Sequence, residues 1–322
     1  MDMKRVTTCL AVLIASLTAG AAAAQQYPTK PVKIIVGFAP GGGSDFIARV
    51  IANKLTERFG SQVIVENRPG AGSTLGTELV VKSPADGYTL LLSSASYTVN
   101  PSVYKLSFDP LNDITPIVQL SRGPYVVAVH PSVPARTLSE LVALAKREPD
   151  KFSYASSGNG GHVHVATEYF LYTAGIKITH VPYKGTGPAL NDTIGGSVHM
   201  ILGSVATALQ HVKSGRLRAL AVTTPKRIAA APDVPTVGES GYPTYEVTNW
   251  HGLVGPRGLP KDIVERLNRE VNESLKSKDV EKVLASDGLE PAGGSAQEFA
   301  SIIKNEIGRW SQVVKRAGVK LE

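Results

Sequence analysis

The chain has 322 residues, of which 43% are hydrophobic and 19% charged, with a formal net charge of +7 and one cysteine. This length exceeds what a single hydrophobic core usually serves, so we expect two lobes. The basic residues are spread along the chain and form no single arm or patch, which argues against nucleic acid as a partner. Because the one cysteine, Cys9, lies in the N-terminal segment, disulfides and thiol chemistry are excluded for the rest of the chain.

The N-terminal segment has the pattern of an export signal. Lys4 and Arg5 supply positive charge, a short apolar run follows at 10–17, and the alanines at 22–24 resemble a cleavage site before Gln25. The apolar run is shorter than the roughly 20 residues that a membrane span needs. We therefore predict that residues 1–24 are a signal peptide and that the mature protein is periplasmic, with a retained membrane anchor as the alternative.

A glycine-rich loop joins the first predicted strand to the first predicted helix. The apolar run at 32–36 leads into three glycines at 41–43, and a helix that starts at Ser44 or Asp45 keeps one apolar stripe until Gly60. The free N–H groups and partial positive charge of such a junction favour an anion. A similar segment recurs at 156–161. Since no catalytic group accompanies either loop, the pattern indicates a protein that holds an acid and does not transform it.

Strand-like and helix-like patterns alternate through the middle of the chain. Short apolar runs predict strands at 63–65, 88–92, 126–129, 178–181, 198–202 and 217–222. Helices are predicted from Thr137, where Glu140 completes a capping-box spacing, and at 162–174, 188–195 and 204–214. This alternation favours parallel sheets with helices on both faces.

The last part of the chain predicts helices only, at 260–275, 279–285 and 295–317. Such helices cannot bury their apolar stripes alone, so they must pack on a lobe already built. If they pack on the first lobe, the second lobe is an insertion, with chain crossings near 123–127 and 247–252. We therefore expect one discontinuous lobe from residues 25–126 and 251–322, and a second lobe from residues 127–250.

Six segments match one family in order and spacing. They are PGGGSD at 40–45, ENRPGAG at 66–72, DGYTLL at 86–91, HVPYKG at 180–185, GRLRALAV at 215–222 and PDVPT at 232–236. Over essentially the whole mature chain the sequence resembles the Bug (Bordetella uptake gene) family, the periplasmic solute-binding components of tripartite tricarboxylate transporters. The resemblance implies an α/β, type II periplasmic binding protein fold, with a ligand cleft between two lobes.

The resemblance also implies a function. Such a protein captures a small carboxylate ligand and passes it to the membrane permease subunits of the transporter, without enzymatic activity. In this family the carboxylate is held mainly by backbone groups, hydroxyls and ordered waters of two loops. We expect no cofactor, no bound metal and a monomer. Two alternatives stay open, namely an exported α/β enzyme that acts on a small organic acid and a ligand-presenting sensor subunit.

The expected ligand-binding residues fall into three groups. The first loop contributes Phe38, Ala39, Pro40, Gly41, Gly42, Ser44 and Asp45. The second loop contributes Ser156, Ser157, Gly158, Asn159, Gly160 and Gly161. Further candidates near strand ends or a helix start are Ala95, Ser96, His164, Tyr183 and Gly203. We expect Tyr97, Thr98 and Asn100 to lie in a loop, and the Lys184 side chain to face solvent.

Simpler explanations compete at several of these positions. Ser44 and Asp45 are expected to cap the helix, and Asp45 can pair with Arg49 four residues later. His164 and Glu168 share a helix face, but a third metal ligand at a standard spacing is missing. The glycines at 70–76 only imitate a dinucleotide motif.

The sequence departs from the family pattern at two positions. His199 occupies one position where the family usually has an aspartate, and Gly203 with Ser204 replaces another. The loss of an acid at the cleft would remove a partner for an ammonium group and make an amino-acid ligand less favoured.

Overall fold

A computed structural model describes residues 27–286 and 288–319 of the chain, so the predicted signal peptide lies outside the described residues. The described strands are β1 Val32–Val36, β2 Val63–Asn67, β3 Thr89–Ser94, β4 Ile114–Val129, β5 Ser153–Ser156, β6 Thr179–Pro182, β7 Met200–Ser204, β8 Arg218–Val222, β9 Thr248–Pro256 and β10 Glu290–Gly293. The described helices are α1 Gly43–Phe59, α2 Thr74–Val81, α3 Ser96–Val103, α4 Leu138–Arg147, α5 His162–Ala174, α6 Thr186–Ile194, α7 Val205–Lys213, α8 Lys261–Leu275, α9 Lys278–Ser286 and α10 Ala296–Ala317.

The strands form one continuous sheet with two different parts. Its main path runs β2-β1-β3-β9-β4-β7-β5-β6, while β8 and β10 also pair with β4. Strand β1 is parallel to β2 and β3, and β5 is parallel to β6 and β7. The prediction of parallel sheets therefore holds for these pairs only, and the sheet as a whole is mixed. The pairs that involve β4 or β9 are antiparallel.

Strand β4 connects the two parts of the sheet. From Ile114 to Pro124 it pairs with β9, and from Tyr125 to Val129 it pairs with β7. The change of partner thus occurs between two adjacent residues. This strand begins well before the predicted run at 126–129. Its first part was not predicted because it is only half apolar and gives a weak sequence signal.

Each part of the sheet has its own apolar core. One pair of buried clusters includes Ile34, Leu90 and Phe299, and the other pair includes Tyr154 and Ile201. Helix α10 contributes to both parts. Its first half places Phe299 and Ile303 against the first part, whereas Trp310 and Val314 join the second.

Local signals explain where several helices begin. The Thr137 side chain accepts a hydrogen bond from the Glu140 N–H at the start of α4, and Ser295 with Glu298 forms a full capping box at α10. One local prediction was wrong. Tyr97, Thr98 and Asn100 lie in helix α3, since the chain re-enters a helix two residues after β3 ends. No helix within the described ranges is both long and apolar enough to span a membrane.

Candidate functional site

A small polar cavity lies between the two parts of the sheet, where several parallel strands end. Its volume is about 30 Å³, which is room for only a few water molecules. Its lining is Phe38, Gly43, Ser44, Ser94, Ser96, Tyr125, Ser157, Val163, Thr186, Ser204, Asn249 and His251. This lining is rich in hydroxyls and contains no lysine, arginine, aspartate or glutamate. It can therefore offer many hydrogen bonds but no fixed charge.

The first loop places the start of helix α1 at this cavity. Gly42 is the N-cap residue and no side chain caps the helix, so the prediction that Ser44 or Asp45 caps it was wrong. The first helical bond runs from the Phe46 N–H to the Gly42 carbonyl. Within the described residues, the N–H groups of Gly43 and Ser44 make no hydrogen bond. Together with the helix dipole they form a donor site for an anion.

The Asp45 carboxylate stabilises the backbone of this loop. Its buried carboxylate accepts hydrogen bonds from the Gly41 N–H at 3.1 Å, from the Asn67 amide at 3.0 Å and from Arg49 at 2.9 Å. The predicted ion pair of Asp45 and Arg49 is thus confirmed. Burial alone would raise the pKa of Asp45, but the bonds from Arg49, Gly41 and Asn67 outweigh it and lower that pKa. The carboxylate faces the loop interior and is not part of the cavity lining.

The second loop uses its glycine N–H groups internally. Gly158 donates to the Ser156 hydroxyl at 3.1 Å, Gly160 donates to Nδ1 of His164 at 3.1 Å, and Gly161 donates to the Gly158 carbonyl. The N–H of His162 donates to the Ser96 hydroxyl at 2.9 Å, across the cleft. Of this loop only Ser157 lines the cavity, and Val163 adds the first turn of α5.

Neutral imidazoles support the second loop. His164 and His180 stack with ring centroids 4.0 Å apart, and Nε2 of His180 lies 2.6 Å from the Ser156 hydroxyl. Burial lowers the pKa of His164 to about 4. Burial, reinforced by His164, lowers the pKa of His180 to about 3. Both rings are therefore uncharged near neutral pH.

Strand β9 forms the floor of the cavity. Its period of two directs Asn249 and His251 to one face and Trp250 to the other, where Trp250 packs against Phe299. The Tyr125 hydroxyl donates to Oδ1 of Asn249 at 3.0 Å and lies 2.9 Å from Nδ1 of His162. Nδ1 of His251 lies 3.1 Å from the Ser121 hydroxyl. Burial lowers the pKa of His251 to about 4, so this ring is also neutral.

The two lobes are in direct contact around the cavity. The Ala39 N–H donates to the Lys184 carbonyl at 2.8 Å, and the Tyr104 hydroxyl donates to the Asn159 carbonyl. A methyl group built on Gly187 would lie 2.5 Å from the Pro40 carbonyl oxygen of the opposite lobe. The structure is therefore a closed form of the molecule.

The predicted ligand-binding residues take three kinds of position. Four of them line the cavity, namely Phe38, Ser44, Ser96 and Ser157. The following predicted residues are not part of the cavity lining, and two of them, Pro40 and Gly41, line a separate pocket with Gly187: Ala39, Pro40, Gly41, Gly42, Ala95, Ser156, Gly158, Asn159, Gly160 and Gly161. The side chains of Asp45, His164 and Tyr183 bond elsewhere, the last to the Asp192 carboxylate at 2.6 Å. Gly203 lies within β7, one residue before the lining residue Ser204.

Several lining residues were not predicted. Thr186 begins the helix after β6, and Ser204 is the last residue of β7, so the rule that places sites at the carboxyl ends of parallel strands could have found them. Asn249 and His251 have only a polar–apolar–polar alternation as a signal. Both lie in the crossing predicted near 247–252, but the sequence does not show which face of that strand borders the cavity.

The remaining histidines do not form a metal site. His162 bonds Tyr125, His164 accepts the Gly160 N–H, and Glu168 accepts the Tyr154 hydroxyl. The part of the chain that the structure describes has no group of three potential ligands that could hold a metal. His199 contacts Ser153 and Phe152 and is not among the residues lining the cavity. The departure at His199 thus leaves the cavity lining unaffected.

Comparison with known proteins identifies the family. The family model described as "Tripartite tricarboxylate transporter family receptor" matches residues 47–319. The periplasmic binding protein BugD is 33% identical, with a TM-score of 0.89 over 92% of this chain and 100% of that chain. A Rhodopseudomonas palustris protein solved with adipate is 36% identical, with a TM-score of 0.89 over 91% and 99% of the two chains. MatC from the same organism, solved with bound malate, is 30% identical, with a TM-score of 0.86 over 89% and 100%.

These matches confirm the resemblance to the Bug proteins and the two-lobed periplasmic binding protein fold. They span nearly the full length of both partners, so the likeness covers both lobes and the cleft between them. The chain belongs to the receptor family of the tripartite tricarboxylate transporters, and is a solute-binding protein of the periplasmic type.

Proposed function

We propose that this protein captures a small dicarboxylate in the cleft between its lobes and delivers it to the membrane subunits of a transporter. The observation that carries the proposal is the composition of the cavity. The start of α1, five serines and a threonine all lie around it, with no acidic side chain to repel an anion. Relatives at 36% and 30% identity were solved with adipate and malate, which both carry two carboxylates.

One carboxylate of the ligand is assigned to the helix starts. Gly43 and Ser44 line the cavity at the start of α1, and Val163 in the first turn of α5 lines it from the opposite lobe. Opposed N-termini add their partial positive charges at one point. The His162 N–H in that turn donates to the Ser96 hydroxyl, so a ligand oxygen would have to replace Ser96 in order to accept from it.

Ligand entry requires the lobes to separate. A cavity of about 30 Å³ has room for only a few water molecules, whereas even malate has nine non-hydrogen atoms. We propose that the moving units are residues 25–126 with 251–322 and residues 127–250. Support comes from the partner change of β4 between Pro124 and Tyr125. Ligand contacts divided between the lobes then shift the protein toward the closed form.

The cellular part of the proposal follows from the family. We propose that the mature protein is exported through the N-terminal signal, acts in the periplasm as a monomer and binds the permease subunits of its transporter. It releases its ligand chemically unchanged. The receptor family of the chain supports this role.

Calorimetry of the mature protein against malate, adipate and monocarboxylates of matching length tests the binding proposal. We expect saturable binding of at least one diacid, and recovery of that diacid unchanged from the complex. Small-angle scattering at saturation is expected to show a more compact particle than the ligand-free protein. Turnover of the acid, or no binding of any carboxylate, would contradict the proposal.

A further inference from the structure

The cavity has no permanent positive charge to meet the second carboxylate of a diacid. Its lining includes only two titratable side chains, Tyr125 and His251. Burial raises the pKa of Tyr125 far above its ordinary value, and a phenol supplies no positive charge. His251 is therefore the one lining residue that can gain a cationic form.

The geometry of His251 suits this role. Its side chain lies on β9 in a residue that is 2% exposed, and its Cε1 is 3.9 Å from the point where a side chain on Gly43 would begin. Nδ1 is engaged by the Ser121 hydroxyl, which fixes the ring. Within the described residues Nε2 makes no hydrogen bond, although the ring borders the cavity. Nε2 is not fully enclosed by protein atoms and keeps access to the cavity, so a ligand oxygen can reach it.

Asn249 adds a second donor on the same face of the strand. The Tyr125 hydroxyl donates to its Oδ1, which leaves the Nδ2 amide for the cavity. Nδ1 of His162 lies next to the same hydroxyl and fixes its orientation. Asn249 and His251 therefore present two neighbouring donors two residues apart, opposite the start of α1.

We propose that Asn249 and His251 bind the second carboxylate of the ligand, and that His251 takes up a proton from solvent when a dicarboxylate binds. The inference rests on the proposed function and specifies how this receptor distinguishes a diacid from a monoacid. A carboxylate within hydrogen-bond distance of Nε2 favours the imidazolium in a site of low dielectric. A monoacid of the same length leaves both donors without a partner.

The surroundings of His251 do not supply another charge. His162 and Tyr125 face it from α5 and β4, and burial keeps both uncharged. On α10, the Arg309 side chain pairs with Glu306 and donates a hydrogen bond to the Glu246 carbonyl. On α1, Asp45 is neutralised by Arg49. Since the pKa of free His251 is lowered to about 4, proton uptake makes diacid affinity rise as the pH falls through the range below about 7.

Calorimetry at about pH 6 in two buffers of different ionisation enthalpy counts the protons taken up on binding. The probes are adipate and malate, with hexanoate and 2-hydroxybutanoate as their monoacid counterparts. We expect wild-type protein to take up protons with the diacid, and His251→Gln to take up fewer. The variant should bind the diacid about 10- to 100-fold more weakly, while monoacid affinity changes by less than about threefold.

Two controls separate this inference from its alternatives. His199→Gln alters an imidazole outside the cavity and should match wild type in proton count. If His251→Gln fails to fold, imidazole NMR of the wild type with and without diacid reports the protonation of His251 directly. Equal proton uptake in wild type and His251→Gln, or a neutral His251 in the diacid complex, would overturn the inference while leaving carboxylate binding intact. A wild-type protein that binds no carboxylate would overturn both.

Discussion

The two glycine-rich loops look alike in sequence but are built differently. In the first loop, the buried Asp45 carboxylate, paired with the half-exposed Arg49, holds the backbone, and the N–H groups of Gly43 and Ser44 make no bond within the described residues. In the second loop, neutral imidazoles hold the backbone, and the glycine N–H groups bond within the protein. The first loop is therefore a ready anion site, whereas glycine N–H groups of the second must exchange an internal bond before they can contact a ligand.

The imidazoles of the second loop and the Asp45 carboxylate of the first should change the free energy of unfolding in different pH ranges. This pH dependence is the largest effect that we expect. Buried His162, His164 and His180 have folded-state pKa values lowered to about 3 or 4. The unfolded chain binds protons at each of them below about pH 6.5, so stability is lost as the pH falls from there toward about 4. Each imidazole contributes up to about 1.4 kcal/mol per pH unit. The stabilisation that comes from the lowered pKa of Asp45 is present above the ordinary value of 3.8 and is lost only as the pH falls below it.

Urea unfolding at about pH 7 and about pH 5 measures this loss of stability. His180→Gln serves as the matched variant, because it removes one titrating ring while keeping a polar partner for Ser156. We expect a shallower pH dependence for the variant. A free energy of unfolding that stays constant across this range would show that the second loop is not supported by neutral imidazoles.

Removal of the charged support tests the first loop. Asp45→Ala deletes the acceptor shared by Gly41, Arg49 and Asn67, and we expect a loss of about 2 to 3 kcal/mol in unfolding free energy. Glu290→Ala is the control, since its pair with Arg122 is exposed and should contribute about 0.5 kcal/mol. Equal losses in the two variants would contradict the role assigned to Asp45.

A single methyl group tests the contact between the first loop and helix α6. Gly187→Ala would place its Cβ 2.5 Å from the Pro40 carbonyl oxygen, so the lobes could not close fully. We expect ligand affinity to fall roughly 10- to 100-fold, with little change in stability, because alanine suits helix α6. Gly195→Ala, at the end of the same helix, meets only ordinary contacts of 3.5 Å and should bind normally. Calorimetry of both variants decides the question.

The smallest effect is expected at Lys184, and Gly160 provides the contrast. Gly160 has a φ of 64°, which valine adopts only with strain, so Gly160→Val should reshape the second loop and weaken binding about tenfold. Lys184→Ala removes an exposed side chain but keeps the carbonyl that bonds Ala39, and should change affinity by less than about twofold. The reverse ranking would mean that recognition depends on a charged side chain and not on loop geometry.

The sequence predicted the helices and the parallel strands well because each depends on a local apolar period. Helix 162–174 matches its prediction at both ends, and 204–214 agrees within one residue. The first half of β4 and strand β10 were missed, since their residues are stabilised by pairing partners distant in sequence. The crossing that carries Asn249 and His251 was predicted, but the contact of these side chains with the cavity depends on the three-dimensional arrangement. Glycine patterns located both loops, but the internal bonds of Gly158 and Gly160 depend on Ser156 and His164 in three dimensions.

Helix α10 places a mechanical limit on the whole molecule. Because Phe299 and Ile303 lie in one core while Trp310 and Val314 lie in the other, this helix works as a strut between the lobes. When the lobes separate, helix α10 must therefore bend, or one of its ends must slide across the core that it packs on. Both motions cost more free energy than rotation about the two connecting strands alone. A receptor built this way opens along a restricted path, which keeps the donors of the two lobes in register each time the cleft closes.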